Sequence, residues 1–452
     1  MKKTRHRSPS SQSMQGRALL TTALLVSFAC PAASQPPLPQ NDGKKHLGPS
    51  SCSGPVCHSA KQELANIYGD EWLVWREDDR HSKAYEVLKN SESKRIAKNL
   101  GYEQPAWEVG ICLDCHADHV PKDMRGPRFK LSTGVGCESC HGGSEDWASK
   151  HDNVRPHSEN LADGMYPADE PVARAALCTS CHYGNKDKFV THRIMGAGHP
   201  RMSFELQVFS NIQPAHFVVD DDYLARGKKA EEGMKVWAIG QVMSVRASID
   251  ALLDPKRNRD GAWPELVLFD CHACHHAMSE KRWRSRASTG TLGPGVPRLN
   301  DSSFLMVRYA FTAVDADGAK DFARDLNELH SAVSESEVRK RAVATRMRDR
   351  LDALIPKLDT WEVDAQAVRS VLKALLRDGT RGEFLDYAGA EQASLASQAL
   401  FENLYTLGAL SEATLDKVAA ENETLLAIVA DEENYSRAKA TASFKRLAAL
   451  VQ

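Results

Sequence analysis

CLDCHADH, residues 112–119, sets two cysteines three apart, Cys112 and Cys115, with His116 directly behind the second. The pattern returns as CESCH (Cys137, Cys140, His141), CTSCH (Cys178, Cys181, His182) and CHACH (Cys271, Cys274, His275). A longer form, CSGPVCH, holds Cys52, Cys57 and His58. Two thiols a helical turn apart can each add to one vinyl group of a haem, and the next residue's imidazole then points at the iron. Zinc knuckles, redox CxxC pairs and structural disulfides also use paired cysteines, but none needs a histidine behind every pair. Zinc would further require the pairs to combine in twos, which five pairs cannot do. The spacing predicts about five covalently attached haem c groups, with ten cysteines as anchors and five motif histidines as iron ligands.

Each iron has a second face. The chain has 17 histidines; setting aside His6 near the N-terminus and the five motif histidines leaves eleven candidates. His81 ranks first, in EWLVWREDDRHSKAYEVL, where Trp72, Trp75, Tyr85 and Leu88 recur near helical spacing and can pack on a porphyrin face. His192 and His199 rank with it, in the glycine-broken stretch THRIMGAGHPRMSFEL behind the fourth motif. His151 and His216 come next, and His46, His157 and His330 last. His119 lies three residues after His116, on the same helix face, so as a ligand it would have to serve a neighbouring haem. His276 is likewise limited to another haem, and His272, between two anchor cysteines, reads as a bystander. Met195 and Met202 are alternative ligands that would raise the potential, whereas abundant histidine favours bis-histidine iron at lower potential.

The chain has 452 residues, with 58 Lys+Arg against 60 Asp+Glu and 42% apolar residues, which excludes a disordered tail protein and a polybasic nucleic-acid binder. Lys2, Lys3, Arg5, Arg7 and Arg17, an apolar run from Ala18 to Ala29 and Ala32-Ala33-Ser34 read as a secretory signal peptide, residues 1–34, cleaved near Ser34. Cys30 lacks the flanks of a lipidated residue. Removing this leader takes the net charge from −2 to about −7, a mildly acidic surface with no reason to bind nucleic acid or anionic lipid. The run is too short to span a bilayer and no later segment is expected to do so, so no transmembrane segment is predicted. The expected location is periplasmic or secreted.

Residues 35–297 are expected to form a pentahaem cytochrome c domain, mainly α with little regular sheet, in which porphyrins replace much of a side-chain core. A helix over about Ala230–Leu253, stopped at Asp254-Pro255, is expected to scaffold the last haem. Beyond Pro297 no cysteine remains, and residues 298–452 are expected to form a haem-free helical bundle. One helix there starts at the capping box Ser334-x-x-Glu337 and ends at Pro356. Others span about Asp364 to Leu376, Leu395 to Leu407, Leu415 to Leu426, and Tyr435 to Val451. The bundle covers haem faces or pairs two copies of the chain.

GVGCESCHGGSEDWASKH, CLDCHADH, DRHSKAYEVL and THRIMGAGHPRMSFEL together resemble the multihaem cytochromes of the cytochrome c-554 type, over about Cys52 to Trp283. The resemblance implies a mostly helical periplasmic electron carrier with closely stacked haem pairs. It also implies that His81, in a D-x-H-x-x-A segment, and His199, in an AGHP loop, are distal ligands. The fifth motif, FDCHACHHAM, and the long tail depart from the tetrahaem type. The expected function is electron transfer between donor and acceptor redox proteins. The rival is a multihaem oxidoreductase acting on a small nitrogen or sulfur compound at an open-coordinate haem, although the chain lacks the C-x-x-C-K motif of pentahaem nitrite reductases.

Overall fold

In the computed structural model, the first described α-helix begins at Glu71 and long α-helices dominate from Gly233 onward. The structure describes residues 35–60, 69–151, 155–230, 232–276, 286–290, 292–384, 386–430 and 432–451. The leader, with Cys30 and His6, and Trp283 at the end of the c-554 resemblance lie outside them. Among the described residues helix accounts for 61% and strand for 3%, which makes it a mainly α protein. Among the described residues the only paired strands are Arg259–Asp260 and Trp263–Pro264.

Up to about residue 230 the elements are short. The second motif lies on helix Gly110–His116, the third on Cys137–His141 and the fourth at the end of Pro171–His182. Pro171 sits at the first position of its helix, where a missing N–H costs nothing. The third helix stops at Gly142, whose φ of 81° is left-handed and favours glycine. Side-chain packing is thin here: one small cluster joins Leu88, Ala97, Ala106, Leu113 and Ala117, and another Tyr166, Ala173 and Leu177. Neither is a core of the size such a length of chain normally buries.

The large core lies downstream. It begins at Ala175 on the fourth motif's helix and runs through Gly233–Leu253 into Ser302–Val314, Ala316–Glu335, Glu337–Asp359, Ala365–Thr380, Tyr387–Thr406, Glu412–Ala430 and Arg437–Ala449. Residues Pro36–Gln452 form one compact unit. Helix Gly233–Leu253 is central to it: Val236, Trp237, Ile239, Val242, Val245 and Ile249 are fully buried. Contrary to expectation, this helix is long and apolar enough to cross a membrane, but 72% of its apolar window is buried inside the protein. It packs on helix Pro171–His182, which carries the fourth motif rather than the last. Gly240 makes one approach possible, because a Cβ there would lie 2.5 Å from the Leu206 Cβ.

Several helix boundaries differ from the sequence reading. Ser334 lies inside helix Ala316–Glu335, and the N-cap of the next helix is Ser336, which accepts a hydrogen bond from the Arg339 N–H. That helix continues through Pro356 to Asp359. Asp364 caps Ala365–Thr380, which extends past Asp378-Gly379.

Candidate haem-binding sites

Local geometry brings each cysteine pair to one side of its element. On Gly110–His116 and Cys137–His141 the i, i+3 spacing sets both thiols on one helix face, with the histidine closing the helix. The longer first motif folds its extra residues into a turn, with the Cys57 and Ser59 N–H groups both donating to the Gly54 carbonyl. The fifth lies on the 3-10 turn Cys271–Ala273. All ten described cysteines are free thiols. The Cys52 and Cys137 thiols are hydrogen-bonded to each other, and so are Cys115 and Cys181. The first site therefore abuts the third, and the second abuts the fourth.

Every motif histidine faces one histidine from elsewhere in the chain. Ring centroids are 5.8 Å apart for His58 and His151, 6.2 Å for His182 and His81, and 6.4 Å for His116 and His199. For His141 and His216 the separation is 6.2 Å, and for His275 and His192 it is 6.3 Å. Two imidazoles bonded to one metal through nitrogen, with bonds of about 2 Å, have centroids about 6.3 Å apart. Five rings of each kind meet one to one at that spacing.

Hydrogen bonds fix which nitrogen five of the ten rings offer. Nδ1 of His116, His151 and His199 donates to the carbonyls of Ala84, Ala148 and Pro200, at 3.0, 2.9 and 2.8 Å. Nδ1 of His58 meets Glu71 at 3.0 Å, and Nδ1 of His81 meets Asp79 at 2.9 Å. With the proton committed to Nδ1, the Nε2 lone pair is left for a metal, the usual arrangement around ligating imidazoles. Burial lowers the pKa of His116, His182 and His216, and drives that of His141 down to about 3. These rings are neutral, the state a metal requires. The Glu71 and Asp79 hydrogen bonds raise His58 and His81 against the pull of burial.

The other histidines have other partners. His119 Nδ1 meets Asp114 at 2.6 Å, and no motif ring faces it, so the expected cross-ligation by His119 has no counterpart in the ring pairing. His46 is fully buried, with Nδ1 2.7 Å from Asp118 and Nε2 3.2 Å from the Pro39 carbonyl. Both neighbours are acceptors, so both nitrogens carry protons and the ring is an imidazolium. Burial opposes that charge, but Asp118 outweighs it and the pKa is raised. Glu138 completes a buried trio with them. His157 pairs with Asp169, His330 accepts from the Leu299 N–H and donates to Asp301, and His272 packs on Tyr387 and Tyr435.

The donor set fits haem c: at each site two thiols on one side, one imidazole beside them, and a second imidazole at the spacing of a shared metal. Residues 53–142 match the family of cytochrome c554 and c-prime. The matched stretch begins just after Cys52 and ends just after His141, so it takes in the second and third motifs whole and most of the first. Within it the chain resembles cytochrome c-554, a c-type cytochrome with covalently bound haem that serves electron transfer. No curated protein and no solved structure matches the chain. The fourth and fifth motifs and the helical tail lie outside the matched residues.

The sequence reading assigned no role to several side chains that shape these sites. Glu71 and Asp79 orient His58 and His81, and Gln213 also donates to Asp79, at 3.0 Å. Asp79 is the acid of the D-x-H-x-x-A segment, so a signal for it was present. Ala84 of the same segment holds His116. Lys188 and Glu138, buried at two junctions between sites, carry no local signal.

Proposed function

We propose that the chain carries five haem c groups, one at each motif, with every iron between two imidazoles, and that it works as an electron carrier. The ligand pairs are His58/His151, His116/His199, His141/His216, His182/His81 and His275/His192, and the anchors are the ten motif cysteines. The observation that carries this reading is the one-to-one pairing of all five motif histidines at about 6 Å.

Bound haem supplies one-electron iron chemistry. The chain's residues hold it and set its surroundings. The cysteine contacts join the first site to the third and the second to the fourth, and Cys140 packs against the cluster of Tyr166, Ala173 and Leu177, two of them on the fourth motif's helix, which sets the third beside the fourth. The segment His192–His199 supplies rings facing both the second and the fifth motif histidines. In space the sites therefore follow the order first, third, fourth, second, fifth, with partner proteins docking at the ends. The division near residue 297 is in this reading a chemical one: the helices beyond it bear no haem but share the core. Export to the periplasm and self-association through these helices belong to the same proposal, tested by cleavage mapping and solution mass.

With a partner facing every motif ring, the arrangement favours a carrier over an enzyme with an open iron. The test is haem quantification per chain with electron paramagnetic resonance of the oxidised protein, before and after adding nitric oxide. Five low-spin haems that ignore the ligand are expected. A high-spin haem that binds it would transfer the proposal to the oxidoreductase reading.

A further inference from the structure

Two buried charges sit at mirror positions between pairs of sites. Glu138 follows Cys137 in the third motif and is 1% exposed. Its carboxylate accepts from the Leu47 N–H at 2.7 Å, the Gly48 N–H at 2.6 Å, the Ser144 N–H at 3.0 Å and the Ser144 hydroxyl. Leu47 and Gly48 lead into Cys52, so this anion lies at the junction of the first and third sites. All its donors are neutral. Lys188, 6% exposed, lies at the junction of the second and fourth. Its ammonium donates to the Cys181 sulfur at 2.9 Å, the Asp114 carbonyl at 3.0 Å and the Gln40 amide oxygen at 3.2 Å. These contacts use all three ammonium hydrogens, and none goes to a carboxylate. The Asp114 carboxylate is taken by His119.

The wider charge census keeps the contrast. Near the first and third sites the His46 imidazolium and Asp118 cancel, and Glu71 adds a carboxylate on His58. Near the second and fourth, the carboxylates of Asp79 on His81 and of Asp114 between Cys112 and Cys115 are opposed by Arg174, near Cys178, and by Lys188. Behind the fifth motif, Asp270, Asp301 and Asp386 outnumber Arg286 and Arg298. His330, an acceptor at Nδ1, adds no charge there. Arg201 is shared by Glu391 and Glu432. Among the described residues Lys188 is the buried lysine or arginine that meets no carboxylate, and it lies in the middle of the spatial order.

An added electron is stabilised by a nearby cation and opposed by a nearby anion, most strongly where water is excluded. We propose that Lys188 is a positioning residue that makes the second and fourth sites the first to be reduced, and that Glu138 makes the first and third sites harder to reduce. The chain then holds its first electrons in the middle of the relay, between two ends of lower affinity. This inference rests on the haem reading above.

The test is a spectroscopic redox titration of the full-length haem-loaded protein, with haem per chain and spin state recorded on the same samples. Lys188→Gln is expected to weaken the most favourable reduction step about tenfold, a fall of about 59 mV for one electron. Lys188→Arg should keep that step in place, and Glu138→Gln should strengthen the least favourable step about tenfold. A Lys188→Gln protein with five low-spin haems and an unmoved first step would overturn the proposal while leaving the haem reading intact. Should Lys188→Gln fail to load haem, Arg174→Gln at its partly exposed position must lower the same step, and no shift there overturns the proposal. Fewer than five haems in the unsubstituted protein would instead remove the reading on which it rests.

Discussion

His199→Ala isolates one site. The His199 ring faces His116 alone, with centroids 6.4 Å apart, and its Nδ1 is committed to the Pro200 carbonyl. Among the described residues no other ring pairs with His116, and the neighbouring His119 faces no motif ring. The loss therefore touches one iron in five: about one fifth of the haem should turn from low spin to high spin and gain affinity for an added ligand. His192→Ala removes the ring facing His275 and should convert another fifth, so the double variant should show about two fifths, since the two rings serve different sites. His119→Ala should convert none. The assay is electron paramagnetic resonance of the oxidised proteins, integrated against total haem. A fully low-spin His199→Ala protein, or a high-spin signal in His119→Ala, would refute the pairing.

The remaining predictions concern the fold. Glu205 is almost fully buried, and desolvation lifts its carboxyl to about 7 although the Gln207 and Val208 N–H groups donate to it. The folded state thus holds a proton that the unfolded state releases near pH 4.5, so stability falls as pH rises from about 4.5 to about 7, by about 3 kcal/mol. Glu205→Gln should flatten that part of a denaturation-versus-pH profile, and an unchanged slope would refute the assignment. Gly240→Ala improves helix propensity by about 1 kcal/mol but drives a methyl into Leu206, so a net loss of about 1–3 kcal/mol is expected; a raised midpoint in thermal melts would count against the packing described. Asp364→Ala removes the cap that accepts from the Ala367 N–H at 2.7 Å and should cost about 1 kcal/mol in chemical denaturation, against no change at the exposed neighbour Glu362.

The five cysteine–histidine motifs were legible because, on the proposed haem reading, covalent attachment would fix their spacing within five to seven residues. The helical class followed from apolar periodicity, and the tail helices from the spacing of residues such as Val343, Met347, Leu351 and Leu354, all buried. What faces each motif histidine was not legible in the same way. His81, His192, His199, His151 and His216 were candidates among eleven, and only the folded chain brings each of them opposite one motif ring. The spacing from His116 confined His119, as a ligand, to a neighbouring haem, and among the described residues no motif ring faces it. Ser334-x-x-Glu337 matched a capping box, but the helix before it runs to Glu335, so the cap falls to Ser336. Pro356 was read as a stop, whereas the helix runs on to Asp359 with Leu354 and Leu358 fully buried on either side. Buried charges such as Glu138 and Lys188 are set by what surrounds them, which no local pattern records.

The facing rings also have a meaning for the chain as a polymer. Each pair joins residues about 75 to 100 positions apart, and the spans overlap from His58 to His275. A metal shared by such a pair closes a loop of that length, and on the chain-entropy account used for disulfides each closure removes about 4.5 kcal/mol of disorder from the unfolded state. Five overlapping closures would staple the segment that has the thinnest side-chain core. They also impose an order on biogenesis. On the proposed haem reading, the first, second and third motifs leave the ribosome before their partner rings, so their anchors would wait with one iron face open, while the fourth and fifth would meet partners already made.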